Sequence, residues 1–232
     1  MYPFSLQRRY FNWLVVSLFC AGFCLPLWAS ALSTSAHTKS TANPEKIVLI
    51  VGDSLSAEYG LARGTGWVQL MSDQAAKEMV KVRIVNASIS GDTSSGGVSR
   101  LPQLLQLHKP QLLIVELGGN DALRGLSMKM TQQNLSSMAK EAKKTGAKVM
   151  IVAMQIPPNY GANYAQQITQ TYKSVSKETG AELNSSFLKG IADDADSLKW
   201  FQPDRIHPNE AAQSTMMKNI WPQLKRMLGE PK

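Results

Sequence analysis

Short apolar runs alternate along the chain with longer stretches in which apolar residues recur every three or four positions. The short runs are typical of buried strands, and the wider spacing is typical of helices that bury one face. The runs predict five strands, at residues 46–51, 82–86, 112–117, 148–154 and 182–184. The spaced stretches predict five helices, at residues 66–79, 95–107, 131–144, 162–179 and 209–228. This regular alternation favours a parallel sheet.

The predicted strands are continuously apolar and do not alternate with polar residues, which indicates that helices cover both faces of the sheet. The expected fold is therefore α/β: a three-layer α/β/α sandwich around a flavodoxin-like parallel sheet. No internal repeat or second boundary interrupts residues 45–232, so we expect them to form one domain. Ligands of such sheets bind beyond the carboxyl ends of the strands, so the loops that follow each strand carry the candidate chemistry.

The first 31 residues have the composition of a secretory signal peptide. Arg8 and Arg9 precede an apolar run at residues 13–28, and Ala29-Ser30-Ala31 has the small residues of a cleavage site. The alternative is an uncleaved membrane anchor, but the run is shorter than the roughly 20 residues that span a bilayer. We therefore expect cleavage after Ala31 and a periplasmic or secreted location.

Signal removal changes the remaining composition. Both cysteines, Cys20 and Cys24, lie in the signal, so the mature chain is expected to have no disulfide and no reactive thiol. Residues 32–44 are small and polar and predict a flexible leader. The net charge of +8 falls to +6 without the two signal arginines, and this excess could favour a transient contact with an anionic membrane surface. The alternative, which the helix-like spacing of Lys140, Lys143, Lys144 and Lys148 favours, is a solvated helix face. No basic and aromatic cluster of the kind that binds nucleic acid is present, and we expect a monomer.

Ser54 follows the first predicted strand directly, in a position where α/β hydrolases expose a nucleophile. Asp204 and His207 follow far downstream, so the order serine, aspartate, histidine completes a candidate catalytic triad. The other histidines of the mature chain are less suitable, because His37 lies in the leader and His108 lies in a helix-to-strand connection. The alternative is that Asp204 caps a helix and that His207 faces solvent.

Two loops offer hydrogen-bond donors for an oxyanion. Gly91 follows the second strand, where a bare backbone N–H can approach a ligand closely. Asn120 follows the third strand and can donate through its side-chain amide. The alternative is that Gly91 and Gly118-Gly119 only permit tight turns.

A metal site is the competing hypothesis for this edge of the sheet. Its candidate ligands are Asp53, Asp92, Asp121, Asp204 and His207. A single histidine and the absence of a close acidic pair argue against it. The glycine-rich segments match neither a P-loop nor a dinucleotide-binding fingerprint, so no metal and no cofactor is expected.

Four sequence blocks together resemble the SGNH (GDSL-type) serine hydrolases. The blocks are Gly-Asp-Ser-Leu-Ser at 52–56, Asn-Ala-Ser-Ile-Ser-Gly-Asp-Thr at 86–93, Val-Glu-Leu-Gly-Gly-Asn-Asp at 115–121 and Asp-Arg-Ile-His-Pro-Asn at 204–209. The resemblance spans residues 46–226. Within the family, the chain more closely resembles a subgroup of periplasmic acyl thioesterases, lysophospholipases and arylesterases. It implies that Ser54 is the nucleophile, His207 the base and Asp204 its orienting acid.

The same resemblance implies an oxyanion hole made of the Ser54 N–H, the Gly91 N–H and the Asn120 side chain, with no cofactor. One position departs from the family pattern. The family often has glycine or another small residue where Arg205 stands, and this arginine could narrow the entrance or contact an anionic head group. The departure leaves the three triad residues in place.

The expected substrate is a small acyl ester, aryl ester, lysophospholipid or acyl thioester. Its predicted contacts are Asp121, Leu123, Ile156, Pro157 and Tyr160, while Leu126 and Met128 add further apolar surface. The alternative is that some of these side chains pack between helices. Two rival functions remain open: a carbohydrate acetylesterase with a polar, short-chain pocket, and a non-catalytic lipid-binding envelope protein. The intact triad argues against the second rival.

Overall fold

The computed structural model describes residues 45–230. Five parallel strands form one sheet in the order β2-β1-β3-β4-β5. Their bounds are Lys46–Gly52 (β1), Val82–Asn86 (β2), Leu112–Glu116 (β3), Lys148–Val152 (β4) and Glu182–Asn184 (β5). This order confirms the predicted α/β fold with its flavodoxin-like parallel sheet. The predicted signal at 1–31 and leader at 32–44 lie outside the described residues.

Six α-helices flank the sheet. They are Trp67–Lys77 (α1), Ser94–His108 (α2), Gly119–Leu123 (α3), Met128–Lys144 (α4), Ala162–Thr179 (α5) and Glu210–Leu228 (α6). The short α3 was not predicted, because five residues carry too little periodicity to register as a helix. Helix α4 begins three residues before its predicted start, because Ser127 caps it by accepting a hydrogen bond from the Met130 N–H at 3.4 Å. Single 3₁₀ turns lie at Pro158–Tyr160 and Ser197–Trp200.

The sheet order explains which face each helix covers. Because β2 lies on one side of β1 and β3 on the other, right-handed crossovers place α1 on one face and α2 on the opposite face. Helix α1 packs against α6, and α4 packs against both α2 and α5. The central strands β1 and β3 are buried from Val48 to Gly52 and throughout their length, respectively, whereas the edge strand β2 stays partly exposed. The core is therefore the pair β1 and β3 covered on both faces.

The same order places the site. The direction of strand addition reverses between β1 and β3, so the loops after these strands diverge toward opposite faces. Such a divergence leaves a crevice at the carboxyl edge of the sheet. Ser54 follows β1 and Asn120 follows β3, at the two sides of this crevice. Within residues 45–230, no helix has both the length and the hydropathy to cross a bilayer.

Candidate active site

The residues predicted as a triad lie in hydrogen-bond contact. Nε2 of His207 is 2.9 Å from Oγ of Ser54, and Nδ1 of His207 is 2.6 Å from Oδ2 of Asp204. Ser54 is 8% exposed, and the His207 side chain is 20% exposed. Each ring nitrogen therefore has one partner, which is the arrangement of a nucleophile, a base and an orienting acid.

A tight turn after β1 presents Ser54. The Asp53 carbonyl accepts hydrogen bonds from the N–H groups of Ser56 and Ala57, at 3.2 and 3.0 Å. The indole N–H of Trp67 donates to the Leu55 carbonyl at 3.1 Å, which fastens the turn to α1. The buried part of β1 is Val48–Gly52. The chain turns sharply directly after it, and this turn places Ser54 at the crevice.

The loop at residues 204–207 holds its own shape. Oδ1 of Asp204 accepts the N–H groups of Ile206 and His207, at 2.9 and 3.0 Å, while Oδ2 faces the His207 ring. Gln202 closes the loop, since its N–H donates to the His207 carbonyl at 2.8 Å. The helix cap considered for Asp204 does not occur, because α6 begins at Glu210 with Asn209 as its N-cap.

Asp204 is held in its charged form. Burial raises the pKa of Asp204, but the hydrogen bonds from the His207 and Ile206 N–H groups and from the His207 ring outweigh it. The net result is a pKa below the ordinary value for aspartate. A charged Asp204 can orient the imidazole and stabilise its protonated form.

Tyr59 packs against the His207 ring, a contact that no sequence motif indicated. The ring centroids are 4.4 Å apart and the planes are tilted by 39°. Gln202 donates from Nε2 to the Tyr59 carbonyl at 2.8 Å, so one side chain braces both this aromatic residue and the loop of His207. An aromatic neighbour restricts the orientations that the imidazole can adopt.

The predicted oxyanion donors lie on the loops after β2 and β3. The loop of Gly91 is fastened beside the nucleophile turn, because the Ile89 N–H donates to the Gly52 carbonyl at 3.0 Å. Gly91 has a φ of +78°, and its carbonyl accepts a hydrogen bond from Nη2 of Arg124 at 2.8 Å. Arg124 ends the α3 segment that carries Asn120, so it links the two donor loops.

Asn120 uses one N–H of its side-chain amide for a hydrogen bond within the protein. Its Nδ2 donates to Oδ2 of Asp53 at 3.0 Å. An amide nitrogen has two hydrogens, so one N–H remains for a ligand in the crevice. Asn120 is half-buried, at the first turn of α3.

Asp121 differs from its predicted role as a substrate contact. Its side chain is buried, and Oδ2 accepts the Ser94 N–H at 2.9 Å. Oδ1 accepts the hydroxyl groups of Ser94 and Thr131, at 2.5 and 3.1 Å. Both oxygens are therefore used to join α2 and α4 at their N-terminal ends, and the carboxylate is not directed to a substrate.

The predicted apolar contacts lie on two loops that touch. Leu123, Ile156 and Pro157 are half-buried, and Tyr160 is 40% exposed. The Tyr160 hydroxyl donates to the Leu123 carbonyl at 3.5 Å, which joins the loop after β4 to α3. By contrast, Met128 is buried in the core, as expected from the alternative that some of these apolar side chains pack between helices.

Two buried acids, Asp53 and Glu116, lie beside the nucleophile turn; the sequence indicated Asp53 only as a candidate metal ligand and gave Glu116 no role. Oε2 of Glu116 accepts the Asp53 N–H at 3.2 Å and the Ser56 hydroxyl at 2.6 Å. Burial raises the pKa of Asp53 to about 6 and raises the pKa of Glu116 well above its ordinary value. The available signal was the acidic residue Glu116, the last but one position of the otherwise apolar run 112–117.

The aspartates considered as metal ligands are dispersed. Asp92 forms an ion pair with Arg100 at 2.8 Å, and Asp121 is enclosed between helices. Across the described part of the chain, no three side chains of the histidine, cysteine, aspartate or glutamate type gather as a metal site requires.

The chain is similar in sequence to a known protein family and to characterised proteins. The GDSL-like lipase/acylhydrolase family pattern matches residues 50–214. The chain is 46% identical to the esterase TesA of Pseudomonas aeruginosa over 181 residues, 78% of this chain and 89% of that protein. It is 40% identical to the thioesterase 1/protease 1/lysophospholipase L1 of Escherichia coli over 168 residues, 72% and 77% of the two chains.

A solved structure extends the comparison to three dimensions. The psychrotrophic esterase EstA from Pseudoalteromonas, inhibited by monoethylphosphonate, superposes with a TM-score of 0.74 at 37% identity. The match covers 80% of this chain and all of that one. On this evidence of sequence and fold, the chain belongs to the GDSL-like lipase/acylhydrolase family.

Proposed function

We propose that this protein is a serine esterase and thioesterase that hydrolyses small acyl esters through an acyl-enzyme intermediate. The observation that carries the proposal is the continuous hydrogen-bonded series from Ser54 through His207 to Asp204, with distances of 2.9 and 2.6 Å. A serine hydroxyl becomes a nucleophile when a base accepts its proton, and this geometry supplies that base.

In the first step, Oγ of Ser54 attacks the acyl carbonyl carbon while Nε2 of His207 accepts the hydroxyl proton. The carbonyl π electrons move to oxygen, and the resulting oxyanion is stabilised by the Ser54 and Gly91 N–H groups and the free N–H of Asn120. His207 then gives its proton to the leaving alcohol or thiol, which departs and leaves an acyl ester on Ser54.

In the second step, water replaces the leaving group. His207 accepts a proton from the water as the water oxygen attacks the acyl ester, and the same oxyanion donors act again. Collapse of the tetrahedral intermediate returns the proton to Oγ of Ser54 and releases the carboxylic acid. Asp204, whose pKa lies below its ordinary value because of its N–H donors, stays ionised throughout and stabilises the imidazolium.

The proposed acyl contacts are Leu123, Ile156, Pro157 and Tyr160. Supporting this is the contact between Tyr160 and Leu123, which makes one apolar wall from two loops at the same edge of the sheet as Ser54. The names of the relatives, an esterase and a thioesterase with lysophospholipase activity, favour acyl esters, lysophospholipids and thioesters as substrates.

The activity is tested with p-nitrophenyl esters from acetyl to palmitoyl and with an acyl thioester, using Ser54→Ala as the control. The proposal predicts turnover that is lost in Ser54→Ala and that is highest for chains longer than acetyl, because the wall is apolar. Activity on acetyl esters alone would favour the carbohydrate acetylesterase. Equal activity in Ser54→Ala would refute the serine mechanism.

We also propose that the mouth of the site makes transient contact with anionic membrane surfaces. Six exposed large apolar side chains lie on loops or helix starts at the carboxyl edge of the sheet: Tyr59, Ile89, Leu126, Met130, Tyr160 and Ile206. Exposed cations accompany them, namely Arg63, Arg124, Lys129 and Arg205. Apolar and cationic side chains together favour a surface of anionic lipid.

Vesicle co-sedimentation tests this contact. An Ile89→Ser, Leu126→Ser double variant is expected to bind phosphatidylglycerol vesicles more weakly than the wild type. Leu107→Ser is the matched control, because Leu107 is 70% exposed but ends α2 at the opposite edge of the sheet. Equal binding by the double variant and the wild type would contradict the proposed surface.

We propose in addition that the protein is exported, cleaved after Ala31 and monomeric. Support comes from the charged head, apolar run and small residues of the first 31 positions. The mass of the protein recovered from the periplasm or medium tests the cleavage, and light scattering tests the monomer. A protein retained at full length in the membrane would refute the export proposal.

A further inference from the structure

Glu116 is a buried acid that forms no ion pair with any residue of the described range 45–230. It ends β3 and is fully buried, and its Oε2 accepts hydrogen bonds from the Asp53 N–H and the Ser56 hydroxyl. Oε1 has no hydrogen-bond donor among residues 45–230. An ionised carboxylate in such a place would be strongly destabilised, whereas a carboxylic acid is tolerated and can use Oε1 to carry its proton.

Asp53 connects this acid to the proposed oxyanion hole. Its N–H donates to Glu116, its Oδ1 accepts the Leu55 N–H at 3.1 Å, and its Oδ2 accepts Nδ2 of Asn120 at 3.0 Å. The carboxylate of Asp53 therefore fixes one amide hydrogen of Asn120. The second hydrogen is then constrained by the planar geometry of the amide.

Two neighbouring acids in a low dielectric favour a state in which only one is ionised. Burial raises the pKa of Glu116 well above its ordinary value, and the negative charge of Asp53 raises it further. The Asp53 N–H donates to Oε2 of Glu116 at 3.2 Å, so the two acids are direct neighbours in this buried region. The titratable neighbours are His207, which favours ionised Asp53 when it has accepted a proton, and Tyr172 on α5, which is buried beside both acids.

We propose that Glu116 and Asp53 form a carboxylic acid and carboxylate pair that positions the Asn120 amide for oxyanion binding. In this pair Glu116 carries the proton at neutral pH, and Asp53 accepts from Asn120. Both are positioning residues, because neither touches the substrate. The inference rests on the proposed function for the role of Asn120, but the state of the pair itself is measurable without any substrate.

Infrared difference spectroscopy tests the protonation of Glu116. The wild-type spectrum at neutral pH is expected to contain the C=O stretch of a buried carboxylic acid that is absent from Glu116→Gln. Glutamine is close to glutamic acid in size and neutral, so this variant is expected to fold. A difference spectrum with only carboxylate bands would overturn the proposal, whether or not the enzyme hydrolyses esters.

The pH dependence of stability gives a second readout. Because the pKa of Glu116 is raised on folding, the folded protein binds more protons than the unfolded chain above about pH 4.5, the ordinary value. Stability contributed by Glu116 is therefore present at low pH and lost as the pH rises, by up to about tenfold in the folding equilibrium constant per pH unit. Glu116→Gln should gain stability relative to the wild type as the pH rises above this value. An unchanged difference would contradict a raised pKa.

A double-mutant cycle tests the coupling to Asn120. Asp53→Ala is expected to lower kcat by up to the ~10²–10³-fold that loss of one oxyanion donor costs, with little change in KM. Adding Asn120→Ala to Asp53→Ala should then cost much less than Asn120→Ala alone, because both changes remove the same donor. Independent, multiplicative losses would overturn the positioning role.

Two controls separate this inference from the proposed function. Asp53→Asn is a smaller change that keeps an oxygen able to accept from Asn120, so it should recover part of the turnover lost in Asp53→Ala. An inactive wild type would refute the proposed esterase, while the infrared result would still decide the state of Glu116. No recovery in folded Asp53→Asn, together with multiplicative losses, would refute the pair as a positioning device.

Discussion

The two halves of the site are held in place by different means. The nucleophile turn is buried, with Asp53, Ser54 and Ser56 at 2%, 8% and 1% exposure, and its contacts reach Glu116 on β3 and Trp67 on α1. The loop of Asp204 and His207 is more exposed. Its hydrogen bonds stay within residues 202–208, apart from the contacts of Gln202 with Tyr59 and of His207 with Ser54. The fold therefore fixes the nucleophile, while a local turn presents the base.

The largest effect should come from the exposed half. His207→Ala removes the base and is expected to lower kcat by about 10⁴-fold or more, because Ser54 has no other proton acceptor in the triad. The thermal unfolding midpoint should change little, since His207 lies outside the core. Ester hydrolysis and thermal unfolding of the same preparation measure both. A loss smaller than about tenfold would contradict the assignment of the base.

The second largest effect on turnover is expected from removing an oxyanion donor. Asn120→Ala should lower kcat by about 10²–10³-fold while KM changes little, because the oxyanion forms only along the reaction path. Steady-state kinetics on one p-nitrophenyl ester give both constants. A rise in KM with unchanged kcat would instead assign Asn120 to substrate binding.

Gly52→Ala is expected to destabilise the protein at the buried half of the site. A Cβ at this position would lie 2.6 Å from Oε2 of Glu116 and 2.8 Å from Oγ of Ser56. Relieving that overlap requires the core to shift, which should lower the free energy of unfolding by about 1–3 kcal/mol. Urea unfolding at constant pH measures the change. Wild-type stability in this variant would show that the turn is looser than its contacts indicate.

Arg205→Gly should have the smallest effect and is the counterpart in the exposed loop. Arg205 has a φ of +59°, which is unfavourable for a side chain other than glycine, so the change relieves strain. Glycine also raises the entropy of the unfolded chain, and the two contributions should leave the free energy of unfolding within about 1 kcal/mol. The same urea experiment applies. A loss as large as that of Gly52→Ala would remove the distinction between the two halves.

Much of the fold could be predicted from the sequence, because the strands are short apolar runs and the helices repeat at their own period. The bounds of β2 and β5 and of α5 agree with the prediction to the residue. The short α3 escaped because its five residues carry no periodic signal, although it is the element that carries Asn120. Short elements at a functional edge are formed by tertiary contacts more than by local pattern.

The site was predictable to the extent that its residues lie in local motifs. The pairing of Asp204 with His207 follows from a spacing of three residues, whereas the contact of Tyr59 with His207 joins residues far apart in the sequence. Asp121 shows the limit in the other direction. Its neighbour Asn120 donates to Asp53 beside the nucleophile turn. The Asp121 side chain, one position further along α3, instead accepts hydrogen bonds from Ser94 and Thr131. A motif gives the residue type but not the direction of the side chain.

The account depends most on Ser54 being activated by His207, and covalent labelling measures this directly. The protein is incubated with a p-nitrophenyl phosphonate, and peptide mass spectrometry locates the adduct in the wild type and in His207→Ala. The account predicts one phosphonyl group on Ser54 in the wild type and labelling slowed by orders of magnitude in the variant. Labelling at another serine, or an equal rate in His207→Ala, would contradict it.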